Sequence, residues 1–534
     1  MERCLRIGRC LGALAAVLAS SLALVSTASA ADAQITEVKR LGPRVLELTI
    51  STPAFSGPTH VDVDLPNGYE TEPERRWPVA YFLAGTQNTY KSFNSVVNGV
   101  ALTEGFPAIV VSPNGDSGYW SDWWNGGALG PPEYESFVVD QLIPLIDAEF
   151  RTIADRAHRA IAGVSMGGYG SMMIAARHPD LFADAASISG ADDSNRPELA
   201  AALSLSPTLQ GGAADAIYGP RATQEVRWHG HNPTDLASNL RGMNLQVRTA
   251  NGIPDPAIGE ELLSVDTVSC VIEAGVHDGS ASLNQKLDEL GIPHLWKDYG
   301  PGCHTPENFE RQISATLDVF AEQFADPAAE PSSFDYESIE PEFDVWGWHI
   351  AADPGRALEF MRLENVGDRS MIVSGSGTTT ITSAPLFKGA DLVVLSGATA
   401  STAIPDAAGR ITFEVGLGPA DTAQEYTPAA DPAEVAKVVT FAPLYPPPGA
   451  PPAEGSPGEA DEGSSPRAGR EPRACRVPKL AGVKPSRARA RLRRAGCRLA
   501  KVRGHRGRAT RVVGQRPKAG NRLPAGAPVT IKLG

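Results

Sequence analysis

The turn around Ser165 constrains the fold of this chain more than any other feature. A short apolar run, Ala160–Val164, leads directly into Ser165, and a helix pattern, Gly168–Arg177, follows at once. Gly163 and Gly167 lie two residues to either side of the serine, in the pattern G-x-S-x-G. Side chains at those two positions would collide in so tight a turn. The segment therefore predicts a buried strand and a closely packed helix that meet at Ser165.

Short apolar runs alternate with helix patterns over about residues 34–326. Val79–Leu83 and Ala108–Val111 are bounded by Gly, Pro or Asn, and Tyr134–Glu149 has a helical pattern. Such alternation favours an α/β domain, with a mostly parallel sheet that helices cover on both faces. Hydrophobic residues make up 42% of the chain and charged residues 21%, which excludes general disorder and a polytopic membrane protein.

The composition predicts five segments along the chain. Residues 1–30 form a signal peptide and 31–326 the α/β domain. Short β-rich runs separated by Gly, Asp and Pro predict a small antiparallel β-sandwich at 334–443. Residues 444–474, rich in Pro, Gly, Glu and Ser, predict a disordered linker. Residues 475–534 form a basic module with a predicted helix at Ser486–Ala495.

The first thirty residues indicate export. Arg3, Arg6 and Arg9 precede the apolar run Leu11–Val25, and a small-residue cleavage pattern ends at Ala30. An N-terminal anchor helix is the alternative, but fifteen apolar residues are short of the roughly 18 that a membrane span needs. We therefore expect a mature protein that is secreted, and extracellular or associated with the cell wall.

His304 is the candidate base for Ser165. Proteins of the α/β-hydrolase class carry their catalytic residues in the order serine, acid, histidine, and His304 occupies a turn between a predicted strand and the last helix of the domain. His229 and His231 form an H-x-H pattern, but no cysteine or carboxylate cluster accompanies them as in a zinc site. No metal or organic cofactor is implied.

Five segments together resemble the putative-esterase (esterase D-like) family, most closely its secreted antigen 85-type mycolyltransferases. The resemblance covers about residues 40–325, and the segments begin at Tyr81 (YFLAGTQ), Val111 (VSPNG), Trp120 (WSDWW), Gly163 (GVSMGG) and Gly302 (GCHT). It implies an α/β-hydrolase fold and a serine esterase or acyltransferase that works through an acyl-enzyme intermediate.

Two acids compete for the third catalytic position. The resemblance implies Glu273, thirty-one residues before His304. Asp255 is the rival, because it lies closer to the end of the predicted strand Leu245–Thr249. The acid would orient the imidazole and stabilise its protonated form.

The oxyanion hole should consist of two backbone N–H groups. The residue after the nucleophile, Met166, supplies one. The resemblance implies that Thr86, in the loop after Val79–Leu83, supplies the other.

Four cysteines remain after removal of the signal peptide, and an exported protein favours disulfides. Cys270 lies three residues before Glu273, and Cys303 immediately precedes His304. We hypothesise that a Cys270–Cys303 disulfide ties the acid to the base, and that Cys475 pairs with Cys497. Three pairings are possible, and buried thiols are the alternative.

The match to mycolyltransferases is incomplete at the loop that holds their sugar acceptor. The Asp and Arg of that family correspond here to Ala84 and Gln87, and a neutral amide cannot replace a guanidinium–carboxylate pair. Trp120, Trp123 and Trp124 are candidate substrate-binding residues that could line an acyl or acceptor groove. Packing of this aromatic loop over the sheet edge is the alternative.

The C-terminal segment resembles a PASTA domain, a wall-associated module linked to peptidoglycan binding. From Pro466 onward the chain has 21 Lys and Arg and a single acid, Glu471, although the net charge of the whole chain is −14. A basic module of this kind would bind peptidoglycan or another anionic wall polymer. Export argues against nucleic acid as a partner. A solvated basic surface with no specific partner is the alternative.

Together these features predict a secreted serine esterase or acyltransferase that acts on an ester of a lipid or cell-envelope component. A non-catalytic wall-binding protein that keeps the hydrolase fold as a scaffold is the second hypothesis.

Overall fold

A computed structural model describes residues 33–261, 265–430 and 435–445, and much of 475–533. The predicted signal peptide and most of the predicted linker lie outside the described residues. The chain divides into two compact units, residues 1–450 and 451–534.

The centre of the first unit is a mixed nine-stranded sheet with the order β1-β2-β3-β5-β4-β6-β7-β8-β9. Strands β4 to β9 run parallel, and β1 to β3 extend one edge of the sheet as antiparallel neighbours. The strands are, in chain order, β1 (Gln34–Arg40), β2 (Val45–Ser51), β3 (Thr59–Asp64), β4 (Val79–Leu83), β5 (Ile109–Pro113), β6 (Arg159–Val164), β7 (Asp184–Ile188), β8 (Asn244–Thr249) and β9 (His294–Asp298).

Both faces of this sheet are buried, as an apolar run without alternation predicts. Along β4, Tyr81 and Leu83 pack in one core, whereas Ala80 and Phe82 pack in a second core on the opposite face. The described residues include the helices α1 (Ser92–Ser95), α2 (Gly99–Leu102), α3 (Tyr134–Ser136), α4 (Ile143–Glu149), α5 (Met166–Arg177), α6 (Pro197–Leu205), α7 (Arg221–His229), α8 (Thr267–Glu289) and α9 (Pro306–Ala325). The predicted α/β-hydrolase class is confirmed; the antiparallel strands β1 to β3 were not predicted.

Two antiparallel sheets follow and enclose a separate core. Their orders are β10-β13-β14-β19-β16-β17 and β11-β12-β15-β18. The strands are β10 (Phe334–Ser338), β11 (Glu342–Val345), β12 (Trp348–Ala351), β13 (Met361–Val366), β14 (Ser370–Gly375), β15 (Thr378–Thr382), β16 (Leu392–Ser396), β17 (Thr402–Ala403), β18 (Thr412–Gly416) and β19 (Val435–Leu444).

The sandwich contacts the end of α5, the helix that follows Ser165, through an ion pair and a hydrogen bond. The buried guanidinium of Arg177 lies 2.6 Å from Glu135 of the α/β domain and 2.8 Å from Glu340 of the sandwich. The hydroxyl of Tyr336 donates a hydrogen bond to the carbonyl oxygen of Arg177 at 2.6 Å. These contacts make the sandwich part of the same compact unit as the α/β domain.

The second unit is small and β-rich where it is described. Its strands are β20 (Cys475–Arg476), β21 (Cys497–Arg503), β22 (Val512–Arg516), β23 (Arg522–Leu523) and β24 (Ala527–Leu533). Leu480, Leu492 and Ile531 belong to its core. Most of the predicted helix Ser486–Ala495 lies outside the described residues. Cys497 is disulfide-bonded, but the side chain of Cys475 also lies outside them, so that pairing stays a prediction.

Among the helices of the described ranges, none combines the length and the apolar character that a membrane crossing requires.

Candidate active site

Ser165 occupies a strained turn between β6 and α5. Its backbone has φ 60° and ψ −120°, a conformation that L-residues seldom adopt. A Cβ atom at position 163 would lie 2.2 Å from the carbonyl oxygen of Gly167. A Cβ atom at position 167 would lie 2.0 Å from the carbonyl oxygen of Leu83. The predicted steric need for both glycines is therefore confirmed.

The position of Ser165 favours negative charge near its side chain. It immediately precedes α5, whose N-terminal N–H groups and dipole stabilise anions. Its own N–H donates a hydrogen bond to the carbonyl oxygen of Ile188, at the end of β7. The serine thus lies at the edge where the parallel strands end.

His304 reaches the same region from the turn after β9 and is bonded to Glu273. The His304 Nδ1 atom lies 2.7 Å from Oε2 of Glu273. The glutamate side chain is completely buried, whereas 11% of the histidine side chain is exposed. The other carboxylate oxygen, Oε1, accepts hydrogen bonds from the Ser189 hydroxyl at 2.7 Å and the Ala250 N–H at 2.8 Å. The carboxylate is thus held on both oxygens.

Asp255 has different partners. Its carboxylate accepts a hydrogen bond from the Ala257 N–H and pairs with Arg311, whose Nη1 lies 2.8 Å away. Of the two candidate acids, Glu273 is the one at hydrogen-bonding distance from His304.

The Cys270–Cys303 disulfide is present, with Cα atoms 4.2 Å apart, which confirms this hypothesis. It joins helix α8, which carries Glu273, to the residue before His304. The His304 N–H also donates to the carbonyl oxygen of Ser269 at 3.1 Å. Two links therefore hold the histidine turn against α8, in addition to the side-chain bond.

Ser165, Glu273 and His304 lie at the same edge of the sheet because β6, β7, β8 and β9 are parallel neighbours. Ser165 follows β6, Ser189 follows β7, Ala250 follows β8 and His304 lies in the loop after β9. Carboxyl ends of adjacent parallel strands form the usual ligand-binding edge of an α/β sheet. The nucleophile candidate and the His304–Glu273 pair therefore share that edge.

Tyr119 contacts both predicted oxyanion residues. Its hydroxyl is hydrogen-bonded to Thr86, and its backbone N–H lies 3.3 Å from the sulfur of Met166. Burial raises the pKa of Tyr119 to about 12, so the hydroxyl keeps its proton at neutral pH. Tyr119 therefore links the loop of Thr86 to the residue that follows Ser165.

The three tryptophans differ in exposure. Trp120 is fully buried, and its indole N–H donates to the carbonyl oxygen of Ala84 at 3.2 Å. Trp123 is 4% exposed and donates to Gly118. Trp124 is partly exposed. Trp120 therefore braces the loop that carries Thr86.

A cleft of about 830 Å³ opens beside this loop. Gln87, which follows Thr86, lies at its border, and Asp116, Trp123 and Tyr134 are among its lining residues. The N–H of Gln87 donates to the carbonyl oxygen of Asp116 at 3.0 Å. The cleft combines aromatic and polar side chains, as binding sites for small molecules commonly do.

The H-x-H pair has structural partners. His229 lies 2.6 Å from Asp235 and stacks on Tyr426 of the sandwich, and His231 donates to the carbonyl oxygen of Arg227. Within the described ranges, no three His, Cys, Asp or Glu side chains are grouped so that they could hold a metal ion.

Two side chains at the site were missed by sequence reasoning. Ser189 touches Glu273, and Gln312 donates to Ser189 at 2.9 Å. Ser189 follows a short apolar run and Gln312 lies within a helix, so neither has a local pattern that distinguishes it from ordinary polar residues.

The fold is that of an α/β-hydrolase-type protein, with Ser165 and the hydrogen-bonded His304–Glu273 pair at one edge of the sheet. Comparison with known proteins identifies the family within this class. Residues 52–318 match the family described as putative esterase, and residues 476–534 match the PASTA domain. The chain belongs to the putative esterase family, and the resemblance seen in the sequence is confirmed.

Two curated relatives and one solved structure illustrate the similarity. Esterase Rv1288 of Mycobacterium tuberculosis is 31% identical over 283 residues, 52% of this chain and 59% of that protein. Diacylglycerol acyltransferase/mycolyltransferase Ag85B of Mycobacterium leprae is 28% identical over 217 residues, 39% of this chain and 63% of that protein. The crystal structure of Mycobacterium tuberculosis MPT51 covers 54% of this chain and 99% of its own, with 20% identity and a TM-score of 0.42. The chain therefore spans about three-fifths of the length of these curated relatives.

Proposed function

We propose that this protein is a secreted serine esterase or acyltransferase that uses Ser165, His304 and Glu273. The observation that carries the proposal is the bond from His304 to the buried Glu273, at the sheet edge where Ser165 occupies its strained turn. Membership in the putative esterase family supports the same chemistry.

The proposed reaction begins with attack of the Ser165 hydroxyl oxygen on an ester carbonyl carbon. Nε2 of His304 takes the hydroxyl proton while Nδ1–H remains bonded to Glu273. Collapse of the tetrahedral intermediate breaks the ester bond, and the alcohol leaves with the proton from Nε2. Water or a second alcohol then attacks the acyl-enzyme, with His304 again transferring the proton.

Thr86 and Met166 are the proposed oxyanion donors through their backbone N–H groups. Each donor of this kind contributes about 3 kcal/mol to transition-state stabilisation. Trp120 and Tyr119 support this role because both hydrogen-bond to the loop of Thr86, Trp120 at Ala84 and Tyr119 at Thr86 itself. Substitution of either bracing residue should therefore lower the rate without removing a reacting group.

The proposed substrate is an ester of a lipid or cell-envelope component. The cleft beside Gln87 is the proposed site for part of it, with Trp123 as a lining residue. Trp124, the next residue in the chain, is partly exposed and stays a candidate contact. Trp120 has no exposed surface for such contact.

The proposed cellular setting rests on the two ends of the chain. We propose that residues 1–30 direct export and that residues 31–326 and 334–443 form the enzyme unit. Residues 444–474 link this unit to the PASTA domain. The PASTA domain, residues 475–534, retains the protein at peptidoglycan or another wall polymer. The PASTA match and the basic composition support wall binding.

Hydrolysis of a p-nitrophenyl ester series tests the catalytic proposal. We expect turnover by the purified full chain and its loss in Ser165→Ala with an unchanged circular dichroism spectrum. Ser171→Ala is the matched control, because Ser171 is a buried serine in α5, the helix that follows Ser165, and its hydroxyl donates to the carbonyl oxygen of Ala186 rather than to the site. Absence of turnover in the correctly folded full chain would favour the non-catalytic wall-binding alternative.

A trehalose ester offered together with competing alcohols separates the two reaction types. A transferase would form new esters in proportion to acceptor concentration, whereas a hydrolase would release free acid. We expect no selective transfer to trehalose, because Ala84 and Gln87 replace the acid and the arginine that hold the sugar in mycolyltransferases.

A further inference from the structure

We propose that Ser189 and Gln312 are positioning residues that hold Glu273 in the orientation required by His304. This inference rests on the proposed function, and it deepens the description of the same site. Ser189, Glu273 and Gln312 are all completely buried, so solvent cannot replace the bonds between them.

The two carboxylate oxygens of Glu273 have different hydrogen-bond partners. Oε2 faces His304 at 2.7 Å, and Oε1 receives the Ser189 hydroxyl at 2.7 Å and the Ala250 N–H at 2.8 Å. Rotation of the carboxylate away from His304 would break the bonds at Oε1. Ser189 therefore fixes the rotation of the acid side chain by a bond that does not involve the histidine.

The donor direction in this network is set by a backbone carbonyl. The oxygen of Cys303 can only accept, so the Asn308 amide must present Nδ2 to it, at 2.8 Å. Oδ1 of Asn308 then accepts from Nε2 of Gln312 at 3.1 Å, and the same Nε2 donates to Ser189 at 2.9 Å. Since Ser189 accepts from Gln312, its single proton is directed to Glu273.

These hydrogen bonds form a ring that the peptide bond between Cys303 and His304 closes. It passes from His304 to Glu273, Ser189 and Gln312, and returns through Asn308 to the residue that precedes the histidine. A closed ring of buried hydrogen bonds restricts both members of the histidine–acid pair at once.

Two features of the network are energetically unfavourable by themselves. Ser189 has φ 45°, in the left-handed region that a residue with a Cβ atom seldom adopts. Oε1 of Gln312 is buried without a hydrogen-bond partner among the described residues. Strained and unsatisfied groups of this kind are concentrated at functional sites.

Ser189→Ala tests the proposal against a matched control at Ser187, two residues earlier in β7. Ser187 is also completely buried, and its hydroxyl bonds to a different carboxylate, that of Asp192, at 2.7 Å. We expect Ser189→Ala to lower kcat about tenfold with KM within about twofold, since small misplacement of catalytic groups is costly. Ser187→Ala should lower thermal stability but keep the wild-type kcat.

Two further readouts separate positioning from stability. Loss of the Ser189 donor, one of the donors at Oε1, leaves more negative charge on Glu273 to stabilise the protonated imidazole. The acidic limb of the kcat/KM profile should therefore move to higher pH in Ser189→Ala but not in Ser187→Ala. The downfield proton NMR signal of the His304 Nδ1–H should exchange faster in Ser189→Ala than in the wild type or Ser187→Ala.

Gln312→Met provides a second variant of similar size, should Ser189→Ala fail to fold. It removes the donor to Ser189, and we expect the same direction of change in kcat and in the NMR signal. Wild-type kcat, pH profile and NMR signal in the folded variants would overturn the proposal. The NMR readout needs no turnover, so failure of the proposed esterase activity is distinguishable from failure of this inference.

Discussion

The imidazole of His304 is bonded through Nδ1 to Oε2 of Glu273 at 2.7 Å, although 31 residues separate the two in the chain. Glu273 lies in α8, and the rest of that helix and strand β9 separate it from His304 in sequence. The Cys270–Cys303 disulfide joins the same two segments beside this hydrogen bond.

Glu273→Gln should lower kcat on the order of 10³–10⁴-fold, because a neutral amide can donate to Nδ1 and so select the wrong imidazole tautomer. The measurement is steady-state ester hydrolysis at neutral pH. Asp255→Asn is the matched control and should keep most of the activity, since Asp255 is bound to Arg311 rather than to His304. The reverse ranking of the two variants would show that Asp255 serves as the acid.

Gly167→Ala should prevent normal folding or abolish activity, because its Cβ would lie 2.0 Å from a backbone oxygen that no side-chain movement can relieve. Gly275→Ala is the control: Gly275 lies in α8 with nothing within 4 Å of the added Cβ. There the change should stabilise the protein by about 0.5–1 kcal/mol, as helix propensity predicts. Urea unfolding and ester hydrolysis together report both effects, and an active, stable Gly167→Ala would contradict the turn geometry.

Replacement of Cys270 and Cys303 by serine should lower the free energy of unfolding by about 3–4 kcal/mol, the range for a loop closed by residues 33 apart. Activity should also fall, because one link between α8 and the histidine turn is lost. Chemical denaturation with and without reductant measures the first effect. If the double variant equals the oxidised wild type in both stability and turnover, the disulfide has neither role.

Glu340→Ala should destabilise the first unit by about 1–3 kcal/mol, because the buried Arg177 loses one of its two carboxylate partners. Glu342→Ala is the control, since 69% of that side chain is exposed. Its effect should stay within about 0.5 kcal/mol. Equal unfolding midpoints for the two variants would mean that the sandwich contact at Arg177 contributes nothing measurable.

His231 should make the protein less stable in acid. Burial lowers the pKa of His231 to about 4, whereas an unfolded histidine titrates near 6.5. Between these values the unfolded chain binds the proton and the folded chain does not, so stability falls as pH drops from about 6.5 to about 4, by about 3 kcal/mol. His231→Gln should lose this part of the pH dependence in urea unfolding; an unchanged slope would assign it to other groups.

The sequence alone determined the local geometry. Gly163 and Gly167 reveal the turn around Ser165 because their steric requirement arises within a few residues. The short apolar runs locate strands such as β4 because a buried parallel strand needs apolar side chains on both faces. Sequence order also selected His304 from the other histidines.

The tertiary structure decided which distant groups meet. Glu273 and Asp255 both lie between β8 and β9 in the sequence. Which of them meets His304 depends on how α8 packs and on the pairing of Asp255 with Arg311. The ring through Ser189 and Gln312 has no local pattern, since it arises from strands and helices that the sheet order brings together. Sterics within a turn depend only on neighbouring residues, whereas these contacts depend on the packing of the whole sheet.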